Sequence, residues 1–298
     1  MLDRLNKNTQ VIVQGITGKE GQRVTEFMQS MNVKVVAGVR PGKAGEEVLG
    51  VPVFDTVKAA RAEFPEALVS CVYVPPQFVL GAVKEALNAG IKLMHIIGEG
   101  IPVKDTAEML AACNEQGAKI IGPASLGIVI PEEFKLGQLM GTENTSVMPG
   151  SVGIISRSGG MSSELANILT QAGIGQSMVV HVGGDFLIGT TPAEVLEFFE
   201  TDAKTEKVLM VGEVGGGYER EVVELIKTGG FTKPLVVFLA GAFVESLPQQ
   251  VPLGHAGAII QGEADTRQAK IKSLEEVGAK IAEKPDEIVD LLSVVSSQ

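Results

Sequence analysis

The stretch Val11-Ile12-Val13-Gln14-Gly15-Ile16-Thr17-Gly18-Lys19-Glu20-Gly21 decides how the chain is read. Val11–Val13 is a short β-branched run and reads as a strand. Glycine then recurs at every third position (Gly15, Gly18, Gly21), and Gln22–Met31 continues as a helix. Strand, Gly-rich turn and helix in this order place backbone N–H groups and a helix N-terminus where a phosphate can approach closely. The spacing is not GxGxxG, so the turn by itself does not specify a dinucleotide. An NAD site also requires an acidic residue at the end of the second strand, to hold the ribose. Here that strand, Lys34–Val39, runs into Arg40-Pro41-Gly42-Lys43. Arg40 and Lys43 suit a phosphorylated ribose, that of NADP or the 3′-phosphate of coenzyme A. Lys43 also reads as an ordinary solvated lysine.

Outward from this turn, short apolar runs alternate with helical patterns along nearly the whole chain. Strands are expected at Ala67–Val74, Lys92–Ile97 and Ala118–Ile121, and helices at Thr56–Ala62, Phe78–Ala89 and Thr106–Gln116. Tyr73–Pro76 and Gly98–Pro102 follow two of these strands and offer an apolar wall and backbone amides beside a nucleotide. Gly141–Gly150 (GTENTSVMPG) has no periodicity and reads as a connection between domains 1–145 and 146–298. A second series follows, with strands at Val152–Ser156, Met178–Val182, Val208–Glu213 and Leu235–Leu239. Its helices are Met161–Ala172, Pro192–Thr201, Tyr218–Lys227, Ala264–Val277 and one from Pro285. Such alternation is α/β architecture with parallel strands, and 298 residues suffice for two doubly wound domains. Many of the 36 glycines fall just after strands, the edge at which doubly wound sheets bind ligands.

Composition excludes several classes. With 25 Lys+Arg against 36 Asp+Glu, a net charge of −11 and no Trp, the chain lacks the basic, aromatic footprint of a nucleic-acid binder. Cys71 and Cys113 form neither a CxxC nor a zinc spacing, so no metal site and no disulfide scaffold is expected. No apolar run is long enough to span a bilayer, and MLDRLNKNTQ resembles neither a signal nor a transit peptide. A soluble, cytoplasmic protein is expected.

Of three histidines, His95 and His181 lie in strand-like apolar runs and read as structural. His255 lies in Gly254-His255-Ala256-Gly257-Ala258, after the long loop Ala242–Leu253. Its small neighbours leave the ring open, either as a nucleophile or as a loop histidine without a task. A nucleophilic imidazole needs an acceptor on one nitrogen so that the other is free to attack. Glu213, at a strand end, is the candidate orienter. Ser156-Arg157-Ser158-Gly159-Gly160 precedes a helix and offers either an anion cradle or an ordinary helix cap.

Taken in order, VQGITGKEGQ, AGVRPGKAGEEVLGVPVFDTV, GEGIP, IGP, GIISRSG, GGD, GEVGG and GHAGAII resemble the α-subunit of succinyl-CoA synthetase and the matching part of ATP-citrate lyase. The resemblance runs over essentially the full length. It implies an N-terminal Rossmann-like CoA-binding domain and a C-terminal flavodoxin-like ligase domain. Around CoA it implies Thr17, Gly18, Lys19, Glu20, Val39, Lys43, Val72, Tyr73, Val74, Ile96, Ile97, Gly98 and Glu99, which Arg40 of the basic pair joins. It implies phosphorylation of His255 beside Glu213, with Ser156, Ser158, Gly159 and Gly160 holding the phosphate. ATP or GTP with Mg²⁺ would bind a separate β-type ATP-grasp subunit, in a heterodimer or heterotetramer. Three transfers would follow: nucleotide to His255, His255 to a carboxylic acid, and displacement of the acyl phosphate by the CoA thiol.

Departures from the succinate enzymes concern the acid. Gly122-Pro123-Ala124-Ser125-Leu126-Gly127 stands where they read GPNCPG, and Gly160-Met161-Ser162-Ser163 where they read TLTY. The loop before His255 is longer and lacks their basic segment. These variants look more like ATP-citrate lyase and citryl-CoA synthetase, which favours citrate over succinate and marks Ser125 and Ser163 as substrate contacts. Two rivals are a non-catalytic CoA- or NADP-binding regulator and an oxidoreductase. His255, Glu213 and the SRSG turn together oppose the first, and Arg40 in place of an acid opposes the second.

Overall fold

Two mainly parallel sheets, each with helices connecting its strands, carry the chain. The computed structural model describes residues 2–141, 146–241, 262 and 265–294. Contacts divide it into two units, Met1–Asn144 with Leu187–Gly189, and Thr145–Phe186 with Thr190–Gln298.

In the first unit β1 (Gln10–Gln14), α1 (Lys19–Gln29) and β2 (Lys34–Val39) realise the strand, turn and helix read from the sequence. There follow β3 (Glu47–Val48), β4 (Val51–Phe54), α2 (Val57–Glu63), β5 (Val69–Val72), α3 (Pro76–Asn88), β6 (Leu93–Ile96), α4 (Val103–Glu115) and β7 (Lys119–Ile121). The sheet order is β3-β4-β2-β1-β5-β6-β7. Apart from the short antiparallel β3, this is the Rossmann order, reversing direction between β1 and β5. Ile12, Val39, Val72, Met94 and Ile96 bury their side chains against Val57, Val79, Val83 and Met109 of the helices. Gly15 has φ +84°, and a Cβ there would sit 2.2 Å from the Tyr73 carbonyl oxygen; a Cβ on Gly21 would sit 2.2 Å from the Gly15 carbonyl oxygen. Both positions admit only glycine, because neither obstacle is a movable side chain.

The second unit contains β10 (Pro149–Ser156), α5 (Gly159–Gln171), β11 (Gln176–His181), α6 (Pro192–Thr201), β12 (Lys207–Glu213), α7 (Tyr218–Lys227), β13 (Leu235–Ala240), α8 (Arg267–Glu276), β14 (Lys280–Ala282) and α9 (Glu287–Val294). Its strands are ordered β14-β13-β12-β10-β11 and all these pairs are parallel. Numbered from β10, this is the flavodoxin-like order 2-1-3-4-5.

Helix starts and two hairpins differ from the sequence expectations. Helices α1 and α5 begin at Lys19 and Gly159, not at Gln22 and Met161. Their glycines lie inside the first turn, where backbone N–H groups have no intrahelical partner to lose. The hairpins β3–β4 and β8–β9 (Gly127–Ile130 and Phe134–Gly137) were not expected. Every residue of β8 and β9 is buried, so no period-2 alternation marks them. No helix among the described residues is long and apolar enough to cross a membrane.

Candidate functional site

In the first sheet, register pairs Gln14 with Val39 and with Val72, and Val72 with Ile96. Four strands therefore end side by side. The segments that follow them, Gly15–Glu20, Arg40–Lys43, Tyr73–Val74 and Ile97–Glu99, emerge along one carboxyl edge at the point where strand order reverses. Gly18, Lys19, Glu20, Arg40, Lys43 and Glu99 are exposed, while Thr17, Val74, Ile97 and Gly98 are half-buried. Val39, Val72 and Ile96 belong to the core, so only their backbone reaches the edge. Burial also holds the Tyr73 hydroxyl well above the ordinary phenol range. No side chain caps α1 at Gly18, so its first turn presents backbone donors. Lys43 lies 2.6 Å from Glu46, both half-exposed, and its loop is fixed by Lys43 and Ala44 N–H groups donating to Asp55 Oδ1. Backbone donors beside Arg40, Lys19 and Lys43 suit a phosphate-bearing nucleotide.

Ser125 is fully buried: its Oγ accepts from the Gly127 N–H at 2.9 Å and its carbonyl lies 2.8 Å from His95 Nε2. That hydroxyl thus helps shape the turn into β8. His95 itself is buried against Tyr73, and His181 lies 3.1 Å from the Arg157 carbonyl oxygen.

In the second sheet the order reverses between β10 and β12, and two charged side chains meet there. Arg157 follows β10 directly and Glu213 ends β12; Arg157 Nη1 lies 2.7 Å from Glu213 Oε1. Arg157 is 2% exposed and Glu213 9%. The guanidinium also donates to the Asp185 carbonyl at 2.8 Å and the Gly183 carbonyl at 3.4 Å, and it stacks 4.9 Å from the Tyr218 ring centroid. These contacts hold a buried carboxylate beside its counter-charge, the condition under which burial of charge is tolerated.

Helix α5 starts against this pair. Ser156 Oγ accepts from the Ser158 N–H (3.0 Å) and donates to the Ser158 carbonyl (2.8 Å), a tight turn that directs the chain into the helix. Ser158 caps α5 by accepting from the Met161 N–H at 3.4 Å. Gly159 is half-buried and Gly160 exposed; a Cβ on Gly160 would have nothing within 4 Å. Ser163 Oγ donates back to the Gly159 carbonyl, within the helix. The helix dipole and the free N–H groups of this first turn suit an anion. His255 lies outside the described residues.

The SRSG motif by itself gives Arg157 no role, and the Asp185 carbonyl that it reaches carries no signal in the sequence. A buried arginine bears no local mark, since its partner becomes its neighbour only when β12 lies beside β10.

Residues 6–100 match the family described as CoA binding domain, and residues 155–280 that described as CoA-ligase. The chain is 45% identical to succinate–CoA ligase [ADP-forming] subunit alpha 2 of Archaeoglobus fulgidus over 98% of both chains. It is 43% identical to the corresponding alpha subunit of Aquifex aeolicus, covering 98% of this chain and 93% of that one. Identity is 38% to the ADP-forming sulfoacetate-CoA ligase subunit SauD of Bilophila wadsworthia, over 98% of both. Among solved structures, ATP citrate lyase from Methanothrix soehngenii, in complex with citrate and coenzyme A, superposes with a TM-score of 0.90 at 27% identity. That match covers 97% of this chain but spans only 50% of the lyase chain. The chain belongs to the succinate–CoA ligase alpha-subunit family of acid–thiol ligases, a CoA-binding domain followed by a CoA-ligase domain.

Proposed function

We propose that this chain is the alpha-type subunit of an NDP-forming acid–CoA ligase, with CoA on the first sheet's edge and the phosphoryl-carrying histidine, His255, in the second domain. One observation carries the reading: Glu213, the expected partner of His255, is fixed beside Arg157 at the switch point of the second sheet, against the N-terminus of α5. A carboxylate held there can accept a hydrogen bond from one imidazole N–H and leave the other nitrogen free to take a phosphoryl group. The first turn of α5 supplies backbone donors for that phosphate, and Gly160 lets it approach. Glu213 thus orients, His255 carries, and the SRSG turn neutralises. Thr17, Lys19, Arg40 and Lys43 would hold the phosphates of CoA, and Tyr73, Val74 and Ile97 would line its apolar side.

The nucleoside triphosphate and Mg²⁺ are assigned to a β-type ATP-grasp partner; the alpha-subunit names of the relatives support a second subunit. For the acid, the motif variants favour citrate, but we place succinate first. Full-length relatives named as succinate–CoA ligases reach 45% identity, whereas the likeness to citrate lyase stands at 27% over half of that chain. Sulfoacetate, another small dianion, is the competing substrate.

The test mixes the chain with a β-type subunit, γ-labelled ATP and Mg²⁺. Acid-labile, base-stable label is expected on the chain and absent from His255→Ala. Discharge of that label by CoA should be faster with succinate than with citrate or sulfoacetate. No label with a partner that assembles, or equal label in His255→Ala, overturns the phosphohistidine reading.

A further inference from the structure

The second unit buries a lysine and a glutamate that this scheme does not use. Lys270, on α8, is 2% exposed, and Glu219, in the first turn of α7, is 3% exposed. Lys270 Nζ lies 2.6 Å from Glu219 Oε2. Desolvating two charges costs about as much as their attraction returns, so the pair by itself is a weak stabiliser and its other contacts carry the information. Lys270 Nζ donates to the Glu213 carbonyl at 2.8 Å and also to the Gly215 carbonyl. Glu219 Oε1 accepts from the Glu213 N–H at 3.3 Å. One buried ion pair therefore holds both backbone polar groups of Glu213.

Position in the sheet explains the need. The pairing of β12 with β10 ends at Val211, so Glu213 has a strand on one side only, where it is the last residue of β12 paired with β13, opposite Ala240. The chain then enters Gly215 and Gly216, both left-handed at φ +78° and +65°, a turn with little stiffness of its own. Gly212 makes room for the clamp, since a Cβ there would lie 2.6 Å from Glu219 Oε1.

We propose that Lys270 and Glu219 are positioning residues: they fix the Glu213 backbone so that its carboxylate is held beside Arg157 in the orientation its role requires. The inference rests on the reading of Glu213 as the partner of His255. A pair that merely tied α7 to α8 would need no contact with the Glu213 peptide groups, and its removal would lower stability without changing the chemistry of the folded protein.

The test uses the full chain assembled with a β-type subunit. K270M/E219Q removes both charges together and leaves no lone buried ion; E213Q and the triple variant complete a cycle. A misplacement of about 1 Å can cost about 100-fold in rate. Labelling of His255 by ATP should therefore slow roughly 10- to 100-fold in K270M/E219Q, with KM for CoA unchanged and no further slowing in the triple variant beyond E213Q. E219D is the second variant, for use if the double variant does not fold. It keeps the charge but withdraws the carboxylate by one methylene, and the same split between rate and KM is expected. Labelling within twofold of wild type in the variant that folds, while E213Q is slow, overturns the positioning role and leaves the Glu213 reading intact. Full additivity in the triple variant likewise overturns it. If E213Q itself labels at the wild-type rate, the Glu213 reading falls and the inference falls with it.

Discussion

Arg157→Met replaces a guanidinium that is 2% exposed by an apolar chain of similar length. It leaves the Glu213 carboxylate, at 11% side-chain exposure, without the cation 2.7 Å away, and it strips the donor from the Asp185 carbonyl. Removing one partner of a buried ion pair costs about 3–5 kcal/mol, chiefly through the uncompensated charge left behind. Loss of the Tyr218 stacking adds roughly 0.5–1 kcal/mol. For a unit of this size about 4 kcal/mol lowers the melting temperature by about 10 °C. Calorimetry at pH 7 on wild type, R157M, E213Q and R157M/E213Q measures the effect. Because the cost is that of a lone charge, E213Q in the R157M background should restore stability, with a coupling of about 2–3 kcal/mol between the two sites. Should the double variant be no more stable than R157M, the pair is not what holds this edge, and the electrostatic account of the site is wrong.

Gly15→Ala should destabilise the first unit by several kcal/mol and abolish CoA binding, since its Cβ would meet a backbone carbonyl at 2.2 Å and φ is +84°. Gly42→Ala, with φ +75° but nothing within 4 Å, should cost only about 1 kcal/mol; urea unfolding of both separates contact from strain. Lys135, in β9, is fully buried, and burial lowers its pKa to about 8. Below pH 8 the folded chain therefore carries a buried charge, while the unfolded lysine holds its proton up to about pH 10.4. Wild-type stability should rise between pH 8 and 10.4, because the unfolded state binds more protons there. K135M should be the more stable protein below pH 8, by about 2 kcal/mol after subtracting the lost hydrogen bond to Gly141, and its advantage should shrink as the pH rises. Paired thermal melts at pH 7 and pH 9.5 check this; an unchanged difference refutes it.

Much of the fold was legible locally. Val11–Gly21 announced a strand, a turn and a helix, and the structure forms them, because β-branched runs and recurrent glycines act through the sterics of the few residues involved. Where the local signal is ambiguous, expectation and structure part. Helices α1 and α5 start three and two residues before the expected positions because glycine in a first turn reads as loop, and β8–β9 has no alternating pattern because every residue of it is buried.

The sequence by itself determined the α/β alternation, the two nucleotide-type turns and the presence of Arg40, Lys43, Glu213 and the SRSG segment near strand ends. Only the tertiary structure decided that Arg157 meets Glu213, and that Lys270 reaches back 57 residues to the Glu213 carbonyl. The physical reason is range. Strands and turns answer to interactions between near neighbours in the chain. Which strand lies beside which, and in what register, depends on hydrogen bonds and core packing between distant segments. The charges at the second edge are brought together by that choice alone.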